Sequence, residues 1–134
     1  MANQFGNQLA VLIGAPHQNQ TSMHHDMAAM DAALRQRGIA SKDILCLEGR
    51  LDRHLLLSFL ASVTQRINEW ANGTLLFFLS GHGFFSGDTT EEARVGVELK
   101  SVEHFSPDTH VFWDEIFQTL RLPASVEMIL LPDH

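Results

Sequence analysis

Residues 75–88 read LLFFLSGHGFFSGD, an apolar run that enters Ser80-Gly81-His82-Gly83. Imidazole titrates near neutrality, so His82 is suited to take a proton and return it during a reaction. A glycine on each side leaves it with little side-chain cover and a permissive backbone, and lets a second molecule approach closely. The N–H of Gly83 can point at an oxyanion developing beside it. The competing reading is an ordinary turn histidine, and these residues alone leave both open. Two other groups lead away from chemistry. Cys46, the single cysteine, falls inside Ile44-Leu45-Cys46-Leu47, where a thiol is expected to be an inert, small hydrophobe. His24 and His25 are adjacent, so on a helix they point about 100° apart. No Cys/His spacing resembles a zinc site, and no metal is expected.

These residues need elements to position them. Leu9–Ala15 (LAVLIGA) reads as a parallel strand buried on both faces. Pro16–Ser22 is polar loop. Met23, Met27, Met30 and Leu34 recur at helical spacing over Met23–Arg37, as core packing, and Gly38 stops the helix. Asp43–Leu47 is a second strand. Asp52–Trp70 is a helix with Leu56, Phe59, Leu60, Val63 and Ile67 on one face. Asn72-Gly73 turns the chain into a third strand, Thr74–Leu79. Residues 84–110 are rich in Gly, Ser, Thr and acids and read as loop, with one short strand at Val95–Leu99. A helix over Phe112–Leu120 carries Trp113, Ile116, Phe117 and Leu120, and Val126–Leu131 is a fourth strand. The order β-α-β-α-β-loop-α-β predicts a doubly wound, mostly parallel α/β sheet flanked by helices. Sites in such sheets gather beyond the carboxyl ends of the strands. His82 lies just past the third strand, and Pro132-Asp133-His134 just past the fourth.

The 134 residues suffice for a single domain, and 45% hydrophobic against 19% charged residues give it a core. A net charge of −7 argues against nucleic-acid binding and favours basic peptides. One cysteine excludes an internal disulfide and suits a reducing cytoplasm. The polar start MANQFGNQ lacks the basic residues of a signal peptide, and no apolar run nears the roughly 20 residues of a membrane span. Asn19-Gln20-Thr21 and Asn72-Gly73-Thr74 match the glycosylation pattern, which carries little weight without secretion.

The chain resembles the caspase-like cysteine peptidases, and more closely their metacaspase and orthocaspase branch. Ser80, Gly81, His82 and Gly83 match the family's histidine motif letter for letter, after an apolar strand as the family has it. The family continues into a helix and an apolar strand ending in Asp-x-Cys. Here LRLPASVEMILLPDH supplies the helix end, the strand and Asp133-His134. Asp26, Met30, Leu34 and Gly38 fit the family's first helix, with Met27 where alanine is usual. The resemblance runs from Leu9 to His134. It implies that residues 1–134 form a single caspase-like domain, the N-terminal, large-subunit part, lacking the C-terminal strands. The nucleophilic cysteine is expected at the position after His134.

By this resemblance His82 is the base of a cysteine–histidine dyad and the Gly83 N–H is half of the oxyanion hole. The family's acidic specificity pocket maps to Asp26, Ser80 and Asp133. Carboxylates there would hold a basic side chain by charge-assisted hydrogen bonds. Residues 14–34 contain no Arg or Lys, so cleavage after Arg or Lys is expected rather than after Asp. Calcium, which many metacaspases use, would fall to Asp88, Glu91 and Glu92; these lack the dense acidic pattern expected, and no cofactor is expected. The implied partners are a polypeptide substrate and the C-terminal small-subunit part of the same precursor, with no nucleic acid and no membrane. Alone, the chain is expected to be inactive and to present its fourth strand as an open, apolar edge. The alternative is a complete, non-catalytic pseudo-peptidase or protein-binding module. A flavodoxin-like or response-regulator-like domain fits less well, because GAPHQNQT has one glycine and the third strand ends without an acid.

Overall fold

The computed structural model describes residues 7–15, 22–87, 89–99 and 107–133. Seven strands and three helices follow one another: β1 (Asn7–Gly14), α1 (Ser22–Gln36), β2 (Ile44–Glu48), α2 (Arg53–Ile67), β3 (Gly73–Ser80), β4 (His82–Ser86), β5 (Arg94–Glu98), β6 (His110–Phe112), α3 (Trp113–Thr119) and β7 (Val126–Asp133). Four strands form a parallel sheet in the order β2-β1-β3-β7. The other three form a small antiparallel sheet in the order β4-β5-β6. The chain is thus α/β, with a mostly parallel sheet flanked by helices.

Period-two alternation sorts the sheet's side chains into two cores. Leu9, Val11 and Ile13 of β1 and Leu75, Phe77 and Leu79 of β3 pack with Leu56, Leu60, Val63 and Ile67 of α2 and Ile116 of α3. On the other face Ala10, Leu12, Ile44 and Phe78 meet Met23, Met27 and Leu34 of α1. The central strands β1 and β3 are therefore covered on both sides, which is why they read as unbroken apolar runs. Helix α2 starts where the Asp52 carboxylate accepts the Leu55 N–H at 2.8 Å. Helix α1 stops at Gly38, whose φ of +93° suits glycine, and the Ile39 N–H donates back to the Leu34 carbonyl at 3.1 Å. Pro132 is tolerated within β7 because β7 is an edge strand.

The stretch expected to be loop with a single strand is instead the small sheet. The expected strand Val95–Leu99 is β5, and β4 and β6 are the strands the sequence did not reveal. Gly96 stands opposite both Phe84 and Phe112, and a β-carbon there would lie 2.8 Å from the Phe84 ring and 2.5 Å from the Val111 carbonyl oxygen. That glycine makes room for a cross-strand ring, as strand glycines often do. Two further differences are shorter. Phe112 closes β6, so α3 starts at Trp113. Strand β7 runs through Asp133, so Asp133 belongs to the strand and does not follow it.

Ion pairs tie α3 to its surroundings. Glu115 pairs with Arg53 of α2 and also accepts the Phe112 N–H at 3.1 Å. Arg94 forks onto Asp114 at 2.9 and 2.7 Å and lies 3.8 Å above the Phe112 ring. The bond from Arg53 holds the Glu115 carboxyl below its ordinary pKa, and the bond from Arg94 does the same for Asp114. A depressed carboxylate stabilises the fold above its unfolded pKa, and that contribution is lost as pH falls through the folded value. Replacing Glu115 with Gln is expected to cost about 1–2 kcal/mol at neutral pH. It should also flatten the loss of stability below pH ~4.3, the ordinary glutamate value. Urea unfolding of both proteins across the acid range measures this.

Candidate functional site

Parallel strands β1 and β3 end level, with Gly14 opposite Ser80, and the Ala15 N–H donates to the Ser80 carbonyl at 2.8 Å. The chain then bends at Gly81 and leaves the main sheet as β4, with His82 opposite Glu98 and Gly83 opposite Val97. Gly81 makes that departure possible. A β-carbon there would sit 2.7 Å from Val97 Cγ1 and 3.4 Å from the Ala15 carbonyl oxygen, and Val97 is fully buried. The first glycine of the motif is thus required by the close approach of the buried Val97 side chain on β5, independently of any ligand.

His82 is solvent-exposed. It lines a hollow of about 370 Å³ with Gly81, Gly83, Phe84, Phe85 and Val95. The neighbouring edge strand β7 ends beside it: Ser80 pairs with Asp133. Asp133 of β7 therefore lies one strand spacing, about 4.8 Å, from Ser80, two residues before His82.

Of the residues expected to bind substrate, Ser80 and Asp133 stand opposite each other at the ends of β3 and β7, and Asp26 is on α1. Ser80 is 5% exposed and lies on the α1 face of β3, next in alternation after Phe78. Asp26 is exposed on the first half of α1. His24 on that helix bonds Glu48 at the end of β2, Nδ1 to Oε1 at 2.7 Å. Asp26 lies about 200° around the helix from His24, on the other flank of α1. Asp133 is the strand partner of Ser80. Asp88 and His134 lie outside the described residues. Glu91 and Glu92 are exposed, and among the described residues no group of three His, Cys, Asp or Glu side chains is placed to hold a metal.

Cys46 is not the buried hydrophobe expected from its strand. It is exposed, on β2 at the edge of the sheet. Partial desolvation pushes its thiol pKa up, and the Asp31 and Glu48 carboxylates add to the rise. The group is therefore a protonated thiol at neutral pH and a poor nucleophile. It also pairs with Leu12, short of the strand's carboxyl end, and β1 separates β2 from β3.

No family model matches this chain, and no curated protein matches it either. Among the described residues no helix is long and apolar enough to cross a membrane. The sequence reading missed Phe85 and Val95, which face each other across β4 and β5 and are 75% and 52% exposed. The signal available was the Phe84-Phe85 pair directly after the motif. Without the hairpin there was no reason to set one ring inward and the other out.

Proposed function

We propose that this chain is the histidine-bearing part of a caspase-like cysteine endopeptidase that cleaves after Arg or Lys, with its nucleophilic thiol on chain that follows β7. The observation that carries this reading is the adjacency of two strand ends. The Ser80-Gly81-His82-Gly83 motif leaves β3 next to the carboxyl end of β7, and sites of doubly wound sheets gather there. His82 takes the proton from the thiol, and the thiolate attacks the scissile carbonyl carbon. The Gly83 N–H faces the resulting oxyanion. When the C–N bond breaks, the imidazolium gives its proton to the leaving amine. Water then hydrolyses the thioester, with His82 again acting as base. Asp26 and Asp133, beside Ser80, form the acidic ground that receives the basic side chain. Cys46 is given no part in this chemistry, because it sits short of the end of β2 with β1 between it and β3. A reducing, cytoplasmic setting follows for an enzyme that works through a free thiol.

The full natural translation product should hydrolyse peptides ending in Arg or Lys and not those ending in Asp, and a thiol alkylator should abolish this. Asp26→Asn should weaken the basic preference through KM by about tenfold, the share of one charge-assisted hydrogen bond. Cleavage after Asp overturns the specificity. Absence of any thiol-dependent cleavage overturns the peptidase reading and favours the non-catalytic binding module.

A further inference from the structure

Phe85 and Val95 are large apolar side chains left open to water, yet they wall a hollow whose floor is Gly81 and Gly83. They stand opposite each other across β4 and β5, so they form a continuous surface rather than two scattered residues. The hairpin that carries them packs over the α2 and α3 face through Val97. Asp26 and Ser80 belong to the α1 face. The two surfaces therefore flank the end of β3 from opposite sides, with His82 between them.

Resting on the peptidase reading, we propose that this hollow is a specificity subsite for a medium or large apolar side chain, such as Leu, Met or Phe. The side chain belongs to the substrate residue immediately after the scissile bond. In an extended peptide neighbouring side chains point to opposite sides. A basic side chain directed at the α1 face thus sends the next one toward the hairpin. That next residue carries the amine that His82 must protonate, so it passes beside the residues lining the hollow. The hollow is shallow and open to solvent, so it would cover such a side chain on one side and bury it in part.

The test compares two substrate kinds on the full natural protein. One is an Arg arylamide with no residue after the scissile bond. The other is a set of internally quenched peptides in which Arg is followed by Leu, Phe, Ser or Asp. Leu and Phe should exceed Ser by about tenfold in kcat/KM, the gain from partly burying such a side chain. Phe85→Ser and Val95→Thr should each remove most of that preference and leave arylamide cleavage within about twofold. Both positions are exposed, so both variants should fold, and circular dichroism checks this. A preference that survives both substitutions overturns the subsite, as does an equal loss on both substrate kinds. A shift from dimer to monomer in the variants, with no change in preference, assigns the surface to self-association and also overturns it. If neither substrate is cleaved by the unsubstituted protein, the peptidase reading fails and the subsite fails with it.

Discussion

Phe77→Ala is expected to destabilise this protein by about 3–5 kcal/mol, the cost of emptying a fully packed aromatic site. Phe77 is 1% exposed at the middle of β3, between Val11 of β1 and Leu130 of β7. Its ring meets Trp113 of α3 edge-on, with centroids 6.2 Å apart, and Trp113 stacks in turn on Phe117 at 5.7 Å. One side chain thus joins the central strand to the helix that precedes β7. Net stabilities of such domains are only about 5–15 kcal/mol, so the loss removes a large share of the whole. Urea unfolding should show the midpoint falling by about 1.5–3 M with the slope unchanged. Phe85→Ala is the matched control, because it removes the same ring from a site that is 75% exposed. It should change stability by less than about 0.5 kcal/mol. Equal losses in the two variants would mean that β3 is not the packed centre of the sheet.

The contrast between Phe77 and Phe85 also marks where the sequence is legible. Strands covered on both faces betray themselves as unbroken apolar runs, so Leu9–Ala15 and Thr74–Leu79 fall within a residue or two of β1 and β3. The methionine spacing marks α1, and Leu56, Leu60, Val63 and Ile67 mark α2, since one buried stripe on a helix has a fixed period. Strand order has no such local signature. Ile44-Leu45-Cys46-Leu47 looks as buried as β1, but its place at the sheet edge leaves Cys46 exposed. The small sheet was hidden for a different reason. Strands β4 and β6 are five and three residues long, too short to show an alternating pattern, so only β5 is legible, as Val95–Leu99, and the bare position at Gly96 within it is a packing requirement set by Phe84 on the neighbouring strand. At the site the motif Ser80-Gly81-His82-Gly83 is visible as letters. That Gly81 must be bare beside Val97 depends on contacts no local pattern encodes.

His82→Ala in the full natural protein is expected to lower kcat/KM toward Arg-terminated peptides by about 10³-fold or more, as for a residue that acts as a unit with its nucleophile. The imidazole carries three duties in the scheme: it deprotonates the thiol, protonates the leaving amine and activates water. Alanine performs none of them. The fall should appear in kcat with KM nearly constant, because the proposed assignment gives the basic side chain to Asp26 and not to the imidazole. His82 is exposed at the start of β4, so the substitution should cost less than about 1 kcal/mol of stability. Loss of activity is then separable from loss of fold. Added imidazole should restore part of the rate, since an exposed position is open to a small base from solution. A structural role for His82 predicts the opposite pattern: lower stability, a raised KM and no rescue. Gly83→Pro removes the one N–H assigned to the oxyanion while leaving His82 in the sequence. If the Gly83 variant kept full activity in a folded protein, the oxyanion assignment would fall and the role of the imidazole would stand.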